Sequence, residues 1–289
     1  MPKKNAEFKI EVGNFFISLK VDHPMAYNRV KSDYRGYFSK SRRKFDIRIV
    51  VRYKKFMRPK FNPPLIRARG WRLYKGDSCL FIYFPSRKYY SLVKLNTAFN
   101  RAEIYTQDPS CRIISYIFPT IFFSLFLIKK GFSLLHACGI ISKNRGYLFV
   151  ASSGGGKSTI AKLAVKKGFR VLNDDRIIIR KFRNRYIMQG SPWHGDVPQT
   201  NSGYVYLRDI FFLKKAVFNR VEPMSKITAI EELYKNCFTV ILSSDILKNK
   251  YEFCFNFAKT LNCIRLNFKA CASVFDYLNG YFESNPGKK

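Results

Sequence analysis

Three glycines followed by a lysine and two hydroxyls stand in Ala151-Ser-Ser-Gly-Gly-Gly-Lys-Ser-Thr159, and a pair of carboxylates, Asp174 and Asp175, comes soon after. This spacing suits phosphate chemistry. Gly154, Gly155 and Gly156 have no Cβ, so successive N–H groups can curl around phosphate oxygens while the following helix aims its positive end at them. Lys157 adds a full charge for the β- and γ-phosphates. The Ser158 hydroxyl is placed to ligate the Mg²⁺ that a nucleotide brings, with Ser153 and Thr159 flanking the cradle. The pattern GxxxxGK[ST] has Ala151 at its first glycine. ATP or GTP fits the loop.

Carboxylates at a strand end beside such a loop can hold Mg²⁺, and one of them can take the proton of an incoming hydroxyl. On extended backbone, adjacent side chains point to opposite sides, so Asp174 and Asp175 would have different tasks. The plain alternative is an Asn-Asp-Asp surface turn. His136 lies on the strand expected to pair with the loop-bearing strand, where a histidine is either a core residue or part of the site. The run Ser191-Pro-Trp-His-Gly-Asp196 concentrates residues of restricted or special geometry in one loop and is a further candidate to shape the site.

These residues need elements to hold them. Leu134 to Ser142 and Tyr147 to Val150 read as strands joined by a turn too short for anything but antiparallel pairing. A helix from Lys157 to Lys167 ends at Gly168, and a strand from Phe169 to Leu172 delivers the Asp pair. A hairpin follows over Ile177 to Phe182 and Tyr186 to Gln189. Helices are expected over Ser225 to Asn236, Tyr251 to Asn262 and Ala272 to Phe282, with a strand over Ile264 to Phe268. Residues 1–110 form a mainly β region, with strands at Phe8 to Val12, Phe15 to Val21, Phe45 to Tyr53, Leu80 to Phe84 and Tyr89 to Leu95. Residues 111–289 form the nucleotide-binding part, and the fold class is α/β.

Composition narrows the partners. The formal charge is +34, and between Lys40 and Lys75 only Asp46 is acidic, with Phe45, Tyr53, Phe56, Phe61, Trp71 and Tyr74 interleaved. Basic and aromatic residues together can bind single-stranded nucleic acid. Yet Ile47, Ile49 and Val51 alternate with charge, which reads as a half-buried strand with a solvated face, or one that docks an acidic partner. Seven scattered cysteines without CxxC spacing suggest neither a disulfide framework nor a zinc site. Ile113 to Ile128 is apolar but short of the roughly 20 residues of a membrane span and contains Pro119, so it reads as a buried helix. The polar start Met1-Pro-Lys-Lys-Asn-Ala-Glu has no secretory pattern, and the expected compartment is cytoplasmic.

The order Leu135-His136-Ala-Cys-Gly139, hairpin, Ser153 to Thr159, Gly168-Phe-Arg-Val-Leu172, Asp174-Asp175 resembles the HPr kinase/phosphorylase family. Gly190-Ser-Pro-Trp-His-Gly195 looks like its relatives outside sugar regulation, and the resemblance spans mainly residues 130 to 200. It implies the phosphoenolpyruvate-carboxykinase-like phosphate-loop fold, with an antiparallel hairpin before the loop. It also implies a serine kinase using ATP and Mg²⁺, often oligomeric. Carried over, the resemblance gives Gly154 to Thr159 the triphosphate and Lys157 the transferred charge. Ser158 with Asp175 takes the Mg²⁺, and Asp174 takes the hydroxyl proton. The acceptor is a hydroxyl on a peptide, a protein or a small molecule. The rival reading is a nucleotide sensor associated with nucleic acid.

Overall fold

In the computed structural model, residues 5–54, 56, 63–86, 88–198 and 200–284 are described. Phe61 and three of the cations between Lys40 and Lys75 (Lys55, Arg58 and Lys60) lie outside the described residues, as do Met1 to Lys4. The chain is α/β with mixed sheets and divides into two compact units, Met1–Phe122 and Phe123–Lys289. That division falls inside the apolar helix, somewhat after residue 110.

The first unit contains β1 (Ala6–Val12), β2 (Phe15–Val21), helix α1 (Pro24–Asp33), β3 (Ile47–Tyr53), β4 (Ile66–Ala68), β5 (Trp71–Lys75), β6 (Cys79–Phe84), β7 (Ser91–Asn96) and β8 (Arg101–Thr106). They form one sheet in the order β1-β2-β3-β8-β7-β6-β5-β4. Gly13 and Asn14, both left-handed, make the two-residue turn between β1 and β2. The pairs β2–β3 and β3–β8 are parallel, and α1 lies in the crossover from β2 to β3. Sequence periodicity does not anticipate α1. It starts on Pro24, whose missing N–H costs nothing in a first turn, and His23 Nδ1 caps it by accepting from the Met25 N–H.

Alternation holds along β3, where Ile47, Ile49 and Val51 are buried and Arg48 and Arg52 are exposed. Of the interleaved aromatics, Phe45 and Phe56 pack against rings elsewhere in the unit. Phe45 stacks on Phe16 at 4.7 Å, and Phe56 meets Tyr90 edge-on at 5.0 Å beside buried Tyr74 and Tyr83.

Helix α2 (Ile117–Ile128) follows a 3₁₀ turn at Arg112–Ile114, so the apolar run is not one continuous helix. Pro119 falls in its first turn and therefore does not break it. Its 12 residues span roughly 18 Å. Among the described residues, no helix is long and apolar enough to cross a membrane.

The second unit contains β9 (Ser133–Ser142), β10 (Arg145–Val150), α3 (Lys157–Lys166), β11 (Arg170–Asn173), β12 (Arg176–Phe182), β13 (Arg185–Gly190), β14 (Tyr204–Lys215), β15 (Arg220–Pro223), α4 (Lys226–Asn236), β16 (Cys237–Phe238), α5 (Ser244–Thr260), β17 (Asn262–Phe268) and α6 (Ser273–Ser284). Strand order is β10-β9-β12-β13-β14-β17-β15, with β11 and β16 also on β9 and β14 pairing back onto β10. β9 and β10 are antiparallel, while β10–β14 and β14–β17 are parallel. Ile160, Ala161 and Ala164 of α3 and Val274, Phe275, Leu278 and Phe282 of α6 pack against Tyr147, Phe149, Phe211 and Leu266 of these strands.

In the second unit β14, β15 and β16 are strands that the sequence does not suggest, and α5 is longer than expected. β14 is masked in sequence by Arg208-Asp209 in mid-run. There the Asp209 carboxylate is fully buried, 3.2 Å from Arg208 Nε and accepting from Asn262 Nδ2 at 3.0 Å. α5 begins at Ser244 rather than Tyr251, because Ser243 caps it by accepting from the Ile246 N–H, and it ends before Asn262, which opens β17.

Candidate active site

β10 ends at Val150 and α3 begins at Lys157, so residues 151–156 turn over the carboxyl end of β10. Gly154 and Gly156 have φ of +78° and +106°, a region closed to most side chains. A Cβ on Gly155 would lie 2.6 Å from Ala151 Cβ, and one on Gly156 would lie 2.5 Å from Phe268 Cζ. The loop therefore needs glycine twice for conformation and twice for close approach. Ala151 is not in the left-handed region, so the position where the motif has glycine makes no demand for it here.

Lys157 is only 5% exposed, and its Nζ donates to the Ala151 and Ser152 carbonyls at 2.7 and 3.2 Å. Desolvation lowers its pKa, opposed by the charges of Asp175, Cys138 and Asp174. The loop faces a cavity of about 380 Å³ bordered by Ser153, Gly154, Gly156, Lys157, Ser158 and Thr159 on one side. His136, Asp175, Gly195, Asp196 and Lys215 complete the lining. Gly155 instead packs against Ala151.

The carboxylates enter at the end of β11. Asn173, fully buried, is the clamp that sets them. Its Oδ1 accepts from the Asp175 and Arg176 N–H groups at 2.8 Å each, and its Nδ2 donates to the Ser191 and Trp193 carbonyls. One side chain thus fixes the Asp turn and the following loop together. Asp174 is 1% exposed. Its oxygens accept from the backbone N–H groups of Gly195, Asp196 and Val197 at 2.8, 3.0 and 3.1 Å, and from Ser158 Oγ at 3.2 Å.

Asp175 points the other way, into the cavity. Its Oδ1 is 3.0 Å from His136 Nε2 and its Oδ2 is 2.8 Å from Arg176 Nη1. Burial pushes its carboxyl up, but the His136 hydrogen bond and the charges of Arg176, His136 and Lys157 outweigh this and hold it below the ordinary 3.8. The opposed directions are those expected of neighbours on extended chain, but the partners are exchanged. Ser158 meets Asp174 rather than Asp175, and Asp175 rather than Asp174 faces the open cavity. Register decides this: Arg176 sits opposite His136 on β9, and the Ala137 N–H donates to the Asp175 carbonyl.

The loop at residues 191–197 contributes backbone, not its histidine. Trp193 is buried against Phe123 at 4.5 Å, anchoring the loop. His194 is exposed, with Nδ1 on its neighbour's carbonyl. A Cβ on Gly195 would come within 3.0 Å of Asp174 Oδ2 and 3.1 Å of Asp175 Cβ, so glycine is what lets the loop close over the pair. Asn173 and Lys215 escape sequence reasoning. The first looks like a turn residue, and the second is one basic residue among many at the end of an unrecognised strand.

The chemistry of the lining suits a triphosphate: loop backbone, the first turn of α3 and the Lys157 ammonium border one side of the cavity. A divalent cation has Ser158 Oγ and Asp174 Oδ2 within reach of each other. Among the described residues no three His, Cys, Asp or Glu converge on a metal position, so nucleotide and water oxygens would complete its shell.

No family model matches the sequence, and no curated protein matches it. Among solved structures, the chain is similar to the Hpr(Ser) kinase/phosphatase from Coxiella burnetii, with a TM-score of 0.33 and 12% identity over 53% of this chain and 99% of that one.

Proposed function

We propose that the protein is a phosphotransferase that uses ATP and Mg²⁺ to phosphorylate a hydroxyl, on a phosphate-loop fold in which an antiparallel hairpin precedes the loop. The observation that carries this reading is the division of one cavity. A glycine cradle with a helix N-terminus and Lys157 forms one wall, and Asp175, held by His136, stands in the other, with Asp174 buried behind the lining on Ser158. Neither wall alone would imply transfer. Together they bind a phosphate donor and activate an acceptor.

The loop N–H groups hold the phosphate tail, and Lys157 exchanges its two loop carbonyls for phosphate oxygens, where its charge offsets the charge of transfer. Bound at Ser158 and Asp174, a magnesium ion would neutralise further charge on the terminal phosphates. Asp174, already satisfied by three backbone N–H groups, stays fixed. Asp175 accepts the proton of the acceptor hydroxyl as the new O–P bond forms and the bond to the leaving diphosphate breaks. His136 and Arg176 hold its carboxylate in place. The high positive charge favours an acidic peptide, protein or small-molecule acceptor.

The roles of the two aspartates separate in one experiment. With γ-labelled ATP and a lysate of the protein's own cells, Asp175→Asn should cut transfer by about a thousandfold or more while ATP binding changes by less than about threefold. Asp174→Asn should instead raise the Mg²⁺ concentration needed for transfer. Full transfer by Asp175→Asn, or no transfer by the unaltered protein despite ATP binding, would overturn the assignment. Because the folded pKa of Asp175 is depressed, its stabilising contribution is present above the ordinary 3.8 and is lost as pH falls through the lower folded value. Any loss of activity near neutral pH therefore belongs to another group.

A further inference from the structure

The glycine loop has two flanks of opposite character. Pairing places β11, β9, β10 and β14 side by side in that order, so the Asp pair at the end of β11 lies on one flank. On the other flank, β14 runs parallel to β10 and delivers its last residue, Lys215, to the same end of the sheet. Lys215 lines the cavity with the loop residues. It also sits opposite Phe268 of β17, whose ring fills the space beside Gly156 where a Cβ would go. The backbone thus ties Lys215 to the loop through Phe268.

The two lysines of the cavity differ in state. Lys157 is buried, and its ammonium is already bonded to loop carbonyls. Lys215 is exposed, and among the described residues no carboxylate lies within ion-pair distance of it. A cation at the rim of a phosphate cradle with no protein counterion is free to meet an anionic ligand there.

We propose that Lys215 is a second phosphate-binding cation, engaging the terminal phosphate of a nucleoside triphosphate from the side opposite the Ser158–Asp174 pair. The proposal rests on the nucleotide reading above and adds to it a means of distinguishing triphosphate from diphosphate. A compact ammonium at the end of a strand acts as a point charge, and its effect grows with the charge on the last phosphate.

Titration calorimetry with ATP and with ADP, each with Mg²⁺, on the unaltered protein, Lys215→Ala and Lys215→Arg tests it. Lys215→Ala should lose about 10- to 100-fold in ATP affinity, the size of one charge-assisted contact, and less than about threefold in ADP affinity. Lys215→Arg should recover most of the loss. Unchanged thermal unfolding would show that the exposed substitution leaves the fold intact. Equal losses for both nucleotides, or none for either, would overturn the role of Lys215 while leaving nucleotide binding standing. If the unaltered protein bound neither nucleotide, the nucleotide reading itself would fall and this inference with it.

Discussion

The two units are built from similar material, large sheets in a chain of formal charge +34, but they treat charge differently. Among the described residues, the first unit buries no charged side chain. Its buried polar groups are small hydroxyls such as Ser18, Ser91 and Thr106, while Arg48 and Arg52 stand in solvent. The second unit buries Lys157, Asp174, Arg180, Asp209 and Lys250. Burying a charge costs free energy unless partners or a ligand compensate it, so each of these is a place where the fold accepts a cost. Of the five, Lys157 lines the cavity described above and Asp174 lies behind it on Ser158. The lesson is that the amount of charge does not locate the site in this molecule. Partnering is the better guide: buried Lys157 and Asp174 and half-buried Asp175 are each held by specific bonds, whereas the basic face of β3 stands in solvent.

The sharpest way to break that contrast is through the loop that keeps Lys157 buried. In Gly156→Ala the new methyl would meet both a φ of +106° and the ring of Phe268, which lies in the core and cannot yield. Left-handed strain and overpacking together should destabilise the second unit by about 2 to 5 kcal/mol, and nucleotide binding should fall with it. Denaturant unfolding of the variant measures this. An unchanged midpoint would mean that the loop does not need its glycine geometry, and with it the case for a preformed phosphate cradle would go.

Asn173 sharpens the comparison, because it is neutral yet holds the charged pair in place. Asn173→Ala removes four hydrogen bonds to buried or half-buried backbone, two on each side of the turn. A loss of about 2 to 3 kcal/mol is expected. Asn173→Asp keeps the acceptor for the Asp175 and Arg176 N–H groups but has no donor for the 191–197 loop. It should therefore retain the Asp turn while freeing the loop, seen as faster amide exchange at Gly195 to Val197 than at Asp175. Equal exchange at both places would show that Asn173 does not couple them.

How far this was legible in the sequence follows from the same physics. The glycine loop, the hairpin before it and the Asp pair were readable because each is local: positive φ, a turn too short for a crossover, adjacent carboxylates on extended backbone. What stayed hidden is non-local. Whether Asp174 or Asp175 meets Ser158 depends on the register of β11 and β12 against β9, and nothing near residue 174 encodes it. Lys215 could be placed only with β14, whose apolar run is cut by Arg208-Asp209, a pair satisfied partly from Asn262 on another strand. α1 begins at His23 and Pro24, cues that signal a helix start only once its place in the crossover from β2 to β3 is known.

The smallest effect tests the other side of the contrast. Arg48 on β3 lies directly opposite Arg101 on β8, both exposed, and both line one shallow cavity of the first unit. Like charges in register repel, and against this, among the described residues, stands only the Arg48 guanidinium 5.9 Å from the Phe45 ring centroid, a weak contact on a solvated face. Arg48→Gln should therefore leave stability within about 0.5 kcal/mol, relieved repulsion offsetting the lost ring contact, and the balance should shift against the variant in about 0.5 M salt, where the Debye length drops to a few ångströms and the repulsion is screened. Paired denaturant curves at low and high salt resolve this, and labelled-ATP transfer by the same variant should be unaltered. A clear loss of stability would mean that the Phe45 contact outweighs the repulsion from Arg101. A raised acceptor KM with unchanged ATP affinity would give the basic face a role in docking the acidic acceptor, and the solvated charge of the first unit would then carry function as well as the partnered charge of the second.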